Sequence, residues 1–145
     1  MLHDIGKITI SDSILDKVPP LTDLDWTDIK RHPEVGYSIL SGVNDYAMLA
    51  EYVLAHHERW DGSGYPRGLE GDEIPIHARI IAIADAYDAS DRPYRKAMSH
   101  ADAMEEMKTC AGSQFDPYLA KDFVDMIRER IRQGDADVQD EASGQ

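Results

Sequence analysis

Apolar residues recur at intervals of three and four along most of this chain, which is the spacing of helices with one buried face. Glycine, proline and short polar clusters interrupt the repeat and mark the turns between helices. The segments with helical spacing are 22–31, 35–43, 45–57, 76–87, 99–111 and 117–131. Because no segment alternates apolar and polar residues as a half-buried strand would, the sequence predicts an all-α fold.

Several residues predict where helices begin and end. Thr22 with Asp25 has the pattern of a weak capping box, and Ser99 with Asp102 has the same spacing. The first residues have the pattern of a last helical turn, and Gly6 is expected to end it because glycine readily adopts the left-handed conformation. We therefore expect this chain to lack the helix that would precede that turn.

Two segments lack helical spacing. The loop from Asp61 to Pro75 is rich in glycine and proline, and its length exceeds that of a simple connection, which indicates a functional loop. Residues 134–145 are acidic, small and aperiodic, so they are predicted to be a disordered tail. The predicted organisation is one domain at 1–133 followed by this tail.

One predicted helix contains a carboxylate where the pattern indicates burial. The segment from Ile76 to Tyr87 is apolar around most of its circumference, and Asp85 lies within it. An unpaired carboxylate among isoleucines would be costly, so Asp85 needs a cation. The candidates are a metal ion or an ion pair with Arg79 or Arg92.

Composition narrows the functional classes. The chain has 145 residues, the size of one domain, and a formal charge of −13, which argues against binding to nucleic acid polymers or acidic membranes. No apolar run approaches the roughly 20 residues of a membrane span, and no signal peptide is predicted. Cys110, the single cysteine, is expected to be a small core residue, and its lack of a disulfide partner favours a cytoplasmic location.

A pair of histidines is the first candidate for metal binding. His56 and His57 end a predicted helix, and two adjacent imidazoles can bracket one metal cluster. Alternatively, they interact only with the helix dipole. Further histidines and aspartates at helix ends or buried faces favour metal binding, and donors without thiolate suit iron, manganese or zinc. Two or more ions are expected, and Asp4 or Asp85 can bridge them. The complete candidate set is His3, Asp4, His32, His56, His57 and Asp85.

Basic residues near these donors are candidates for binding phosphate. Lys7 follows His3 by four residues and can reach a phosphate oxygen, although an exposed lysine without a ligand is the alternative. Arg92 and Arg95 have planar guanidinium groups suited to phosphate or to stacking on a base. Their spacing alone does not distinguish these roles from simple solvation.

Three motifs resemble the HD-GYP family of HD-superfamily phosphohydrolases. They are His3-Asp4-Ile5-Gly6-Lys7-Ile8, His56-His57-Glu58-Arg59-Trp60-Asp61-Gly62-Ser63-Gly64-Tyr65-Pro66 and Asp91-Arg92-Pro93-Tyr94-Arg95. The resemblance covers Leu2–Phe123. It implies a helical HD-domain bundle with two or three divalent metal ions, most often iron or manganese, with zinc, magnesium or nickel as alternatives. It also implies hydrolysis of the bacterial second messenger cyclic di-GMP to pGpG or GMP.

The resemblance assigns roles by position. All six candidate donors match metal ligands, and Asp4, Lys7 and Asp88 match catalytic positions. Lys7, Arg92 and Arg95 also match substrate-binding positions. Gly64, Tyr65 and Pro66 match a signature lip, which the family links to substrate access and to binding of diguanylate cyclase (GGDEF) domains.

Two departures from the family pattern lead to an alternative function. The chain begins after the family's first helices, which supply a further ligand, and two residues usual between Ala89 and Ser90 are absent. A catalytically impaired module that binds nucleotide or a diguanylate cyclase is therefore the alternative to an active phosphodiesterase. Apolar surface near Ile5 and Ile8 is expected to be exposed, so self-association, for example as a homodimer, is predicted.

Overall fold

The computed structural model describes residues 2–18, 20–90 and 99–143, with side chains except at 89–90 and 135–143. Helices form almost all of the regular structure in this part of the chain, where the only β-structure is two isolated bridges. The all-α prediction is confirmed. The α-helices are α1 (Asp12–Leu15), α2 (Asp23–Ile29), α3 (His32–Ser41), α4 (Ala47–Ala55), α5 (Ile76–Ser90), α6 (His100–Cys110) and α7 (Pro117–Ser143), and 3₁₀ helices span Leu2–Thr9, Asn44–Tyr46 and Gly71–Glu73.

Side-chain caps start the helices as the sequence predicts. The Thr22 hydroxyl accepts a hydrogen bond from the Asp25 N–H at 3.2 Å, and an Asp25 carboxylate oxygen accepts from the Thr22 N–H at 2.8 Å. The Ser99 hydroxyl accepts from the Asp102 N–H at 3.1 Å. These contacts satisfy N–H groups that have no acceptor within the first helical turn. They therefore fix the starts of α2 and α6.

Gly6 has a different role from the predicted one. The first 3₁₀ helix continues past it to Thr9, and Gly6 does not have a positive φ. A Cβ at this position would lie 1.8 Å from the carbonyl oxygen of His32. Gly6 is therefore required for the close packing of this 3₁₀ helix against α3, and it does not end a helix.

The helix α5 is buried on one side only, so its predicted burial around most of the circumference is wrong. Ala78 and Ile83 are 1% and 3% exposed, whereas Ile76 and Ile80 are 49% and 47% exposed. The packed side faces α4, α6 and α7. Residue type could not distinguish the two sides, because isoleucine occurs on both.

Two main groups of buried side chains hold the helices together. The first lies between the first 3₁₀ helix, α3 and α4, and the second lies between α5, α6 and α7. Met104 and Met107 belong to the second group, where their flexible thioether side chains fill the core. The first group contains Leu40, Ala50 and Val53, and the second contains Ile83, Met104, Met107, Phe115, Ala120 and Val124.

The last helix extends into the segment predicted to be a disordered tail. The backbone of α7 is helical through Ser143, whereas disorder was expected from Gly134. Ile127 still packs on the core, but Ile131 is 40% exposed. The domain boundary at 133 remains a prediction. None of the helices in the described ranges combines the length and apolarity that crossing a membrane requires.

Candidate metal centre

Four structural elements bring the six candidate donors together. The close packing of α3 against the first 3₁₀ helix and α4 brings three of these elements to one place, and α5 completes the site. The first 3₁₀ helix carries His3 and Asp4, α3 begins at His32, α4 is followed directly by His56 and His57, and α5 carries Asp85.

Three imidazole nitrogens point toward one another. The Nε2 atom of His32 lies 3.4 Å from Nε2 of His56 and 3.2 Å from Nε2 of His57. The Nδ1 atom of His32 lies 2.6 Å from the Ile29 carbonyl oxygen, and Nδ1 of His56 lies 2.5 Å from that of Val53. Because a carbonyl only accepts hydrogen bonds, both Nδ1 atoms must donate. In the neutral ring, each Nε2 therefore carries a lone pair.

Two lone pairs facing each other at 3.4 Å repel unless they share a cation. Nitrogen ligands about 2.0–2.1 Å from a tetrahedral ion lie about 3.3–3.4 Å apart, which matches the observed separations. The backbone carbonyls bonded to Nδ1 hold the rings in this orientation, as outer contacts commonly do at metal sites. The three imidazoles therefore fit a transition-metal ion.

Burial keeps these imidazoles neutral, which metal binding requires. Desolvation lowers the pKa of His56 to about 4 and that of His57 to about 3. Desolvation also lowers the pKa of His32, against the hydrogen bond to Ile29, which raises it. All three rings are consequently available as ligands at neutral pH.

A second group of donors lies beside the first and shares His56. The ligand atoms of His3, Asp4 and His56 all lie within 4.8 Å of one another. His3 Nε2 is 3.5 Å from an Asp4 carboxylate oxygen and 3.3 Å from Asp85 Oδ1. The other Asp4 oxygen, Oδ1, lies 3.7 Å from His32 Nε2, so Asp4 faces both groups. Two candidate donor groups therefore lie side by side, and Asp4 faces both.

Asp4 Oδ1 is buried and lacks a hydrogen-bond partner in the described part of the chain. The Lys7 ammonium is 3.1 Å away, but its direction does not make a hydrogen bond. Burial raises the pKa of Asp4, yet the charges of Lys7 and His3 outweigh burial and leave this pKa below its usual value. Lys7 thus compensates the charge of this carboxylate, while Oδ1, which also faces His32, keeps lone pairs suited to a metal ion.

Within the described part of the chain, Asp85 pairs with His3 and not with Arg79. Its side chain is 27% exposed, so it is less buried than the pattern predicts. The hydrogen bond with His3 lowers the pKa of Asp85 to about 2, so the carboxylate is ionised at neutral pH. Arg79, one alternative partner, instead bonds Asp116 at 2.8 Å. Arg92, the other alternative, lies outside the described residues.

The Gly64-Tyr65-Pro66 lip packs directly against the donors. The Tyr65 ring stacks on the His57 ring with centroids 5.0 Å apart, and the Tyr65 N–H donates to the His57 carbonyl at 3.2 Å. Burial raises the pKa of Tyr65 to about 12, so the phenol keeps its proton. A Cβ at Gly64 would lie 2.4 Å from the backbone nitrogen of Arg59, so only glycine allows this approach. Pro66 follows through a cis peptide bond.

Glu58 holds this loop in place, and sequence reasoning did not identify it. The side chain is 4% exposed, and its carboxylate accepts from the Arg67 N–H at 2.7 Å and the Leu69 N–H at 3.1 Å. Its position directly after the two histidines was the available signal, because a glycine-rich loop needs acceptors for its N–H groups. Glu58 thus connects the end of the histidine pair to the far side of the lip.

The other predicted site residues differ in where they lie relative to the cluster. Asp88 is exposed, about one turn beyond Asp85 on α5, and no hydrogen bond or ion pair joins it to another described residue. Lys7 contacts Asp4, as given above, and its side chain is 37% exposed. Arg92 and Arg95 lie outside the described residues.

A cleft of about 380 Å³ opens beside the donors, with α5 and α6 on one side and the lip on the other. Cys110 lies on its wall and is half-buried, so it is more accessible than the expected core residue. The cleft is lined by His56, His57, Glu58, Arg59, Tyr65, Ala82, Asp85, Ala86, Tyr87, Ala103, Glu106, Met107, Cys110, Gln114 and Phe115.

Histidine and aspartate donors that converge between helices beside an open cleft define an all-α domain with a candidate metal centre. The family model described as "HD domain" matches residues 1–119, and the chain belongs to this family. The predicted resemblance is confirmed by relatives that carry phosphodiesterase names.

Three relatives illustrate the similarity. The cyclic di-GMP phosphodiesterase response regulator RpfG of Xanthomonas campestris is 48% identical over 80% of this chain and 32% of its own length. A cyclic di-GMP phosphodiesterase of Thermotoga maritima is 44% identical over 88% of this chain and 36% of its own length. The 3'3'-cGAMP-specific phosphodiesterase 2 of Vibrio cholerae is 42% identical over 83% of this chain and 24% of its own length. The chain thus spans a quarter to about a third of these relatives.

A solved structure has the same fold. The crystal structure of a cyclic GMP-AMP specific phosphodiesterase from V. cholerae matches with a TM-score of 0.65 and 20% identity. The match covers 90% of this chain and 37% of that protein. At this level of identity, the similarity supports the HD-domain fold alone.

Proposed function

We propose that this domain hydrolyses the phosphodiester bonds of cyclic di-GMP with divalent metal ions held by the histidine–aspartate cluster. The single observation that carries the proposal is the convergence of the His32, His56 and His57 Nε2 atoms, with the lone pairs of His32 and His56 directed inward. The names of the relatives support the substrate.

The donors divide between two ions in this proposal. His32, His56 and His57 hold one, while His3 contributes to the other together with the carboxylates of Asp4 and Asp85. Mixed nitrogen and oxygen donors favour iron or manganese, with zinc, magnesium and nickel as alternatives, and a third ion is compatible with the family resemblance. When bound, the ions supply Lewis-acid stabilisation of the charge on phosphate and an activated water.

The chain's own residues position the substrate. The Lys7 ammonium is proposed to steady a phosphate oxygen, and its position beside Asp4 supports this role. Tyr65, packed on His57, limits access to the donors from the lip side. On the basis of the resemblance, Arg92 and Arg95 are proposed to contact the substrate. Asp88 is proposed to take part in catalysis on the same basis.

The remaining expectations belong to the same proposal. The lip formed by Gly64, Tyr65 and Pro66 is proposed to bind diguanylate cyclase domains, and self-association as a homodimer is proposed from exposed apolar residues such as Ile8, which is 79% exposed. A cytoplasmic location is proposed because cyclic di-GMP is an intracellular messenger. A catalytically impaired binding module is less well supported, because relatives along most of the chain carry enzyme names.

The test compares two histidine variants of the 145-residue chain purified without oxygen. His57→Asn removes a proposed ligand, whereas His77→Asn removes an exposed histidine that stacks on Tyr52 away from the cluster. We expect wild type and His77→Asn to bind metal and to hydrolyse cyclic di-GMP in manganese. His57→Asn should lose at least tenfold in turnover and part of its metal. Metal-loaded wild type without hydrolysis, or full activity in His57→Asn, would contradict the proposal.

A further inference from the structure

One wall of the cleft is a face of α6 that the metal donors do not use. Ala103, Glu106, Met107 and Cys110 recur at helical spacing and all line the cavity. Ala103 and Met107 are buried, so the wall is largely apolar. Glu106 is the carboxylate that α6 contributes to this wall.

The charge of Glu106 is not neutralised in the described part of the chain. Its neighbour Glu105 bonds Lys108 at 3.2 Å, whereas no hydrogen bond or ion pair joins Glu106 to another described residue. The other carboxylates of the cleft are engaged, Glu58 by the loop N–H groups and Asp85 by His3. Glu106 is therefore the cleft carboxylate available to accept hydrogen bonds from a ligand.

Aromatic side chains and size make the same cleft suitable for a nucleobase. Tyr87 and Phe115 line it together with Met107, which gives apolar surface for a flat ring. Its volume of about 380 Å³ is near the lower end of the range for small-molecule sites, about 300–1,000 Å³. The cleft thus suits one nucleotide unit of a substrate whose phosphate lies at the donors.

We propose that Glu106 is a specificity-determining residue that selects guanine on the α6 wall of the cleft. Guanine presents two adjacent donors, N1–H and the N2 amino group, and one carboxylate can accept both hydrogen bonds. Adenine presents a lone pair at N1, which a carboxylate repels. This inference rests on the proposed function. The choice of base matters because the relatives include enzymes named for cyclic di-GMP and for 3'3'-cGAMP.

The test replaces Glu106 by glutamine, with Glu105→Gln as the matched control on the same helix. A glutamine amide can accept from guanine N1–H through its oxygen, but its NH₂ group then faces the guanine amino group, and two donors cannot pair. The same amide complements adenine, because its NH₂ group donates to N1 and its oxygen accepts from the adenine amino group. Glu106 is exposed, so water competes with the ligand and the effect is moderate. We expect kcat/KM for cyclic di-GMP to fall about tenfold, mainly through KM. The ratio of activity on cyclic di-AMP, which has no guanine to present, to activity on cyclic di-GMP should rise by at least that factor, with metal content unchanged.

The outcomes separate this inference from the proposed function. If wild type hydrolyses cyclic di-GMP but the ratio of activities on the two substrates is the same in Glu106→Gln and Glu105→Gln, the proposed role of Glu106 is wrong. The proposed function then stands. If metal-loaded wild type hydrolyses no cyclic dinucleotide, the proposed function fails, and calorimetry with GMP and AMP then decides the inference. Preferential GMP binding that Glu106→Gln abolishes supports it. Equal binding of the two nucleotides by wild type overturns it.

Discussion

Replacing Glu58 by alanine tests whether one buried carboxylate holds the lip against the donors. In the folded protein this carboxylate accepts hydrogen bonds from the Arg67 and Leu69 N–H groups, at 2.7 and 3.1 Å. Alanine provides no acceptor, so both N–H groups must find water or remain unpaired. A buried donor left unpaired costs about 1–3 kcal/mol. Because the two contacts are partly buried and water can replace part of them, we expect a loss of about 2–4 kcal/mol.

Urea denaturation of the metal-free chain, with unfolding followed by circular dichroism, measures this loss directly. Glu51→Ala is the matched control, because Glu51 bonds the Arg67 guanidinium at 3.0 Å and is 46% exposed. Exposed ion pairs contribute about 0–1 kcal/mol, so the control should unfold almost as wild type does. In metal-loaded protein, Glu58→Ala should also reduce kcat/KM, because Tyr65 would no longer be held against His57. A loss below 1 kcal/mol, or one equal to that of Glu51→Ala, would refute the reasoning.

Two further predictions follow from the packing and burial of the donors. Gly6→Ala should destabilise the chain by about 2–3 kcal/mol and reduce the metal bound per chain, because the new Cβ would meet the His32 carbonyl oxygen at 1.8 Å. Gly134→Ala, in open space on α7, is the control for denaturation and metal analysis, and equal behaviour of the two variants would contradict the prediction. In metal-free protein, the free energy of unfolding should fall as the pH drops from 6.5 toward 4. The unfolded chain then binds protons that His56 and His57, with pKa values of about 4 and 3, do not bind when folded. Between pH 6.5 and pH 5 His56 alone should contribute about 1.5 kcal/mol, and a flat pH profile in urea denaturation would contradict this.

The local order of residues was sufficient to predict most helices and the composition of the candidate site. Thr22 and Ser99 cap helices because the acceptor and the N–H it satisfies are three residues apart, so the contact needs no distant part of the chain. Residue type also indicated the donors, because imidazole and carboxylate chemistry does not depend on the fold. For example, the position of His56 and His57 directly after an apolar helix was enough to identify them as candidate ligands.

Contacts between distant segments decided how these groups are used. His32 and His56 are 24 residues apart, and their Nε2 atoms face each other only because α3 packs on α4 and each Nδ1 is held by a backbone carbonyl. Gly6 was predicted from local propensity to end a helix. In the structure it is instead required for the close approach of the first 3₁₀ helix to α3. Glu58 likewise accepts hydrogen bonds from N–H groups 9 and 11 residues away. These N–H groups come within reach of Glu58 only when the loop has folded. The sequence pattern predicts local hydrogen bonds and residue chemistry. The directions of lone pairs and the exposure of each helix face depend on which distant segments pack together in the fold.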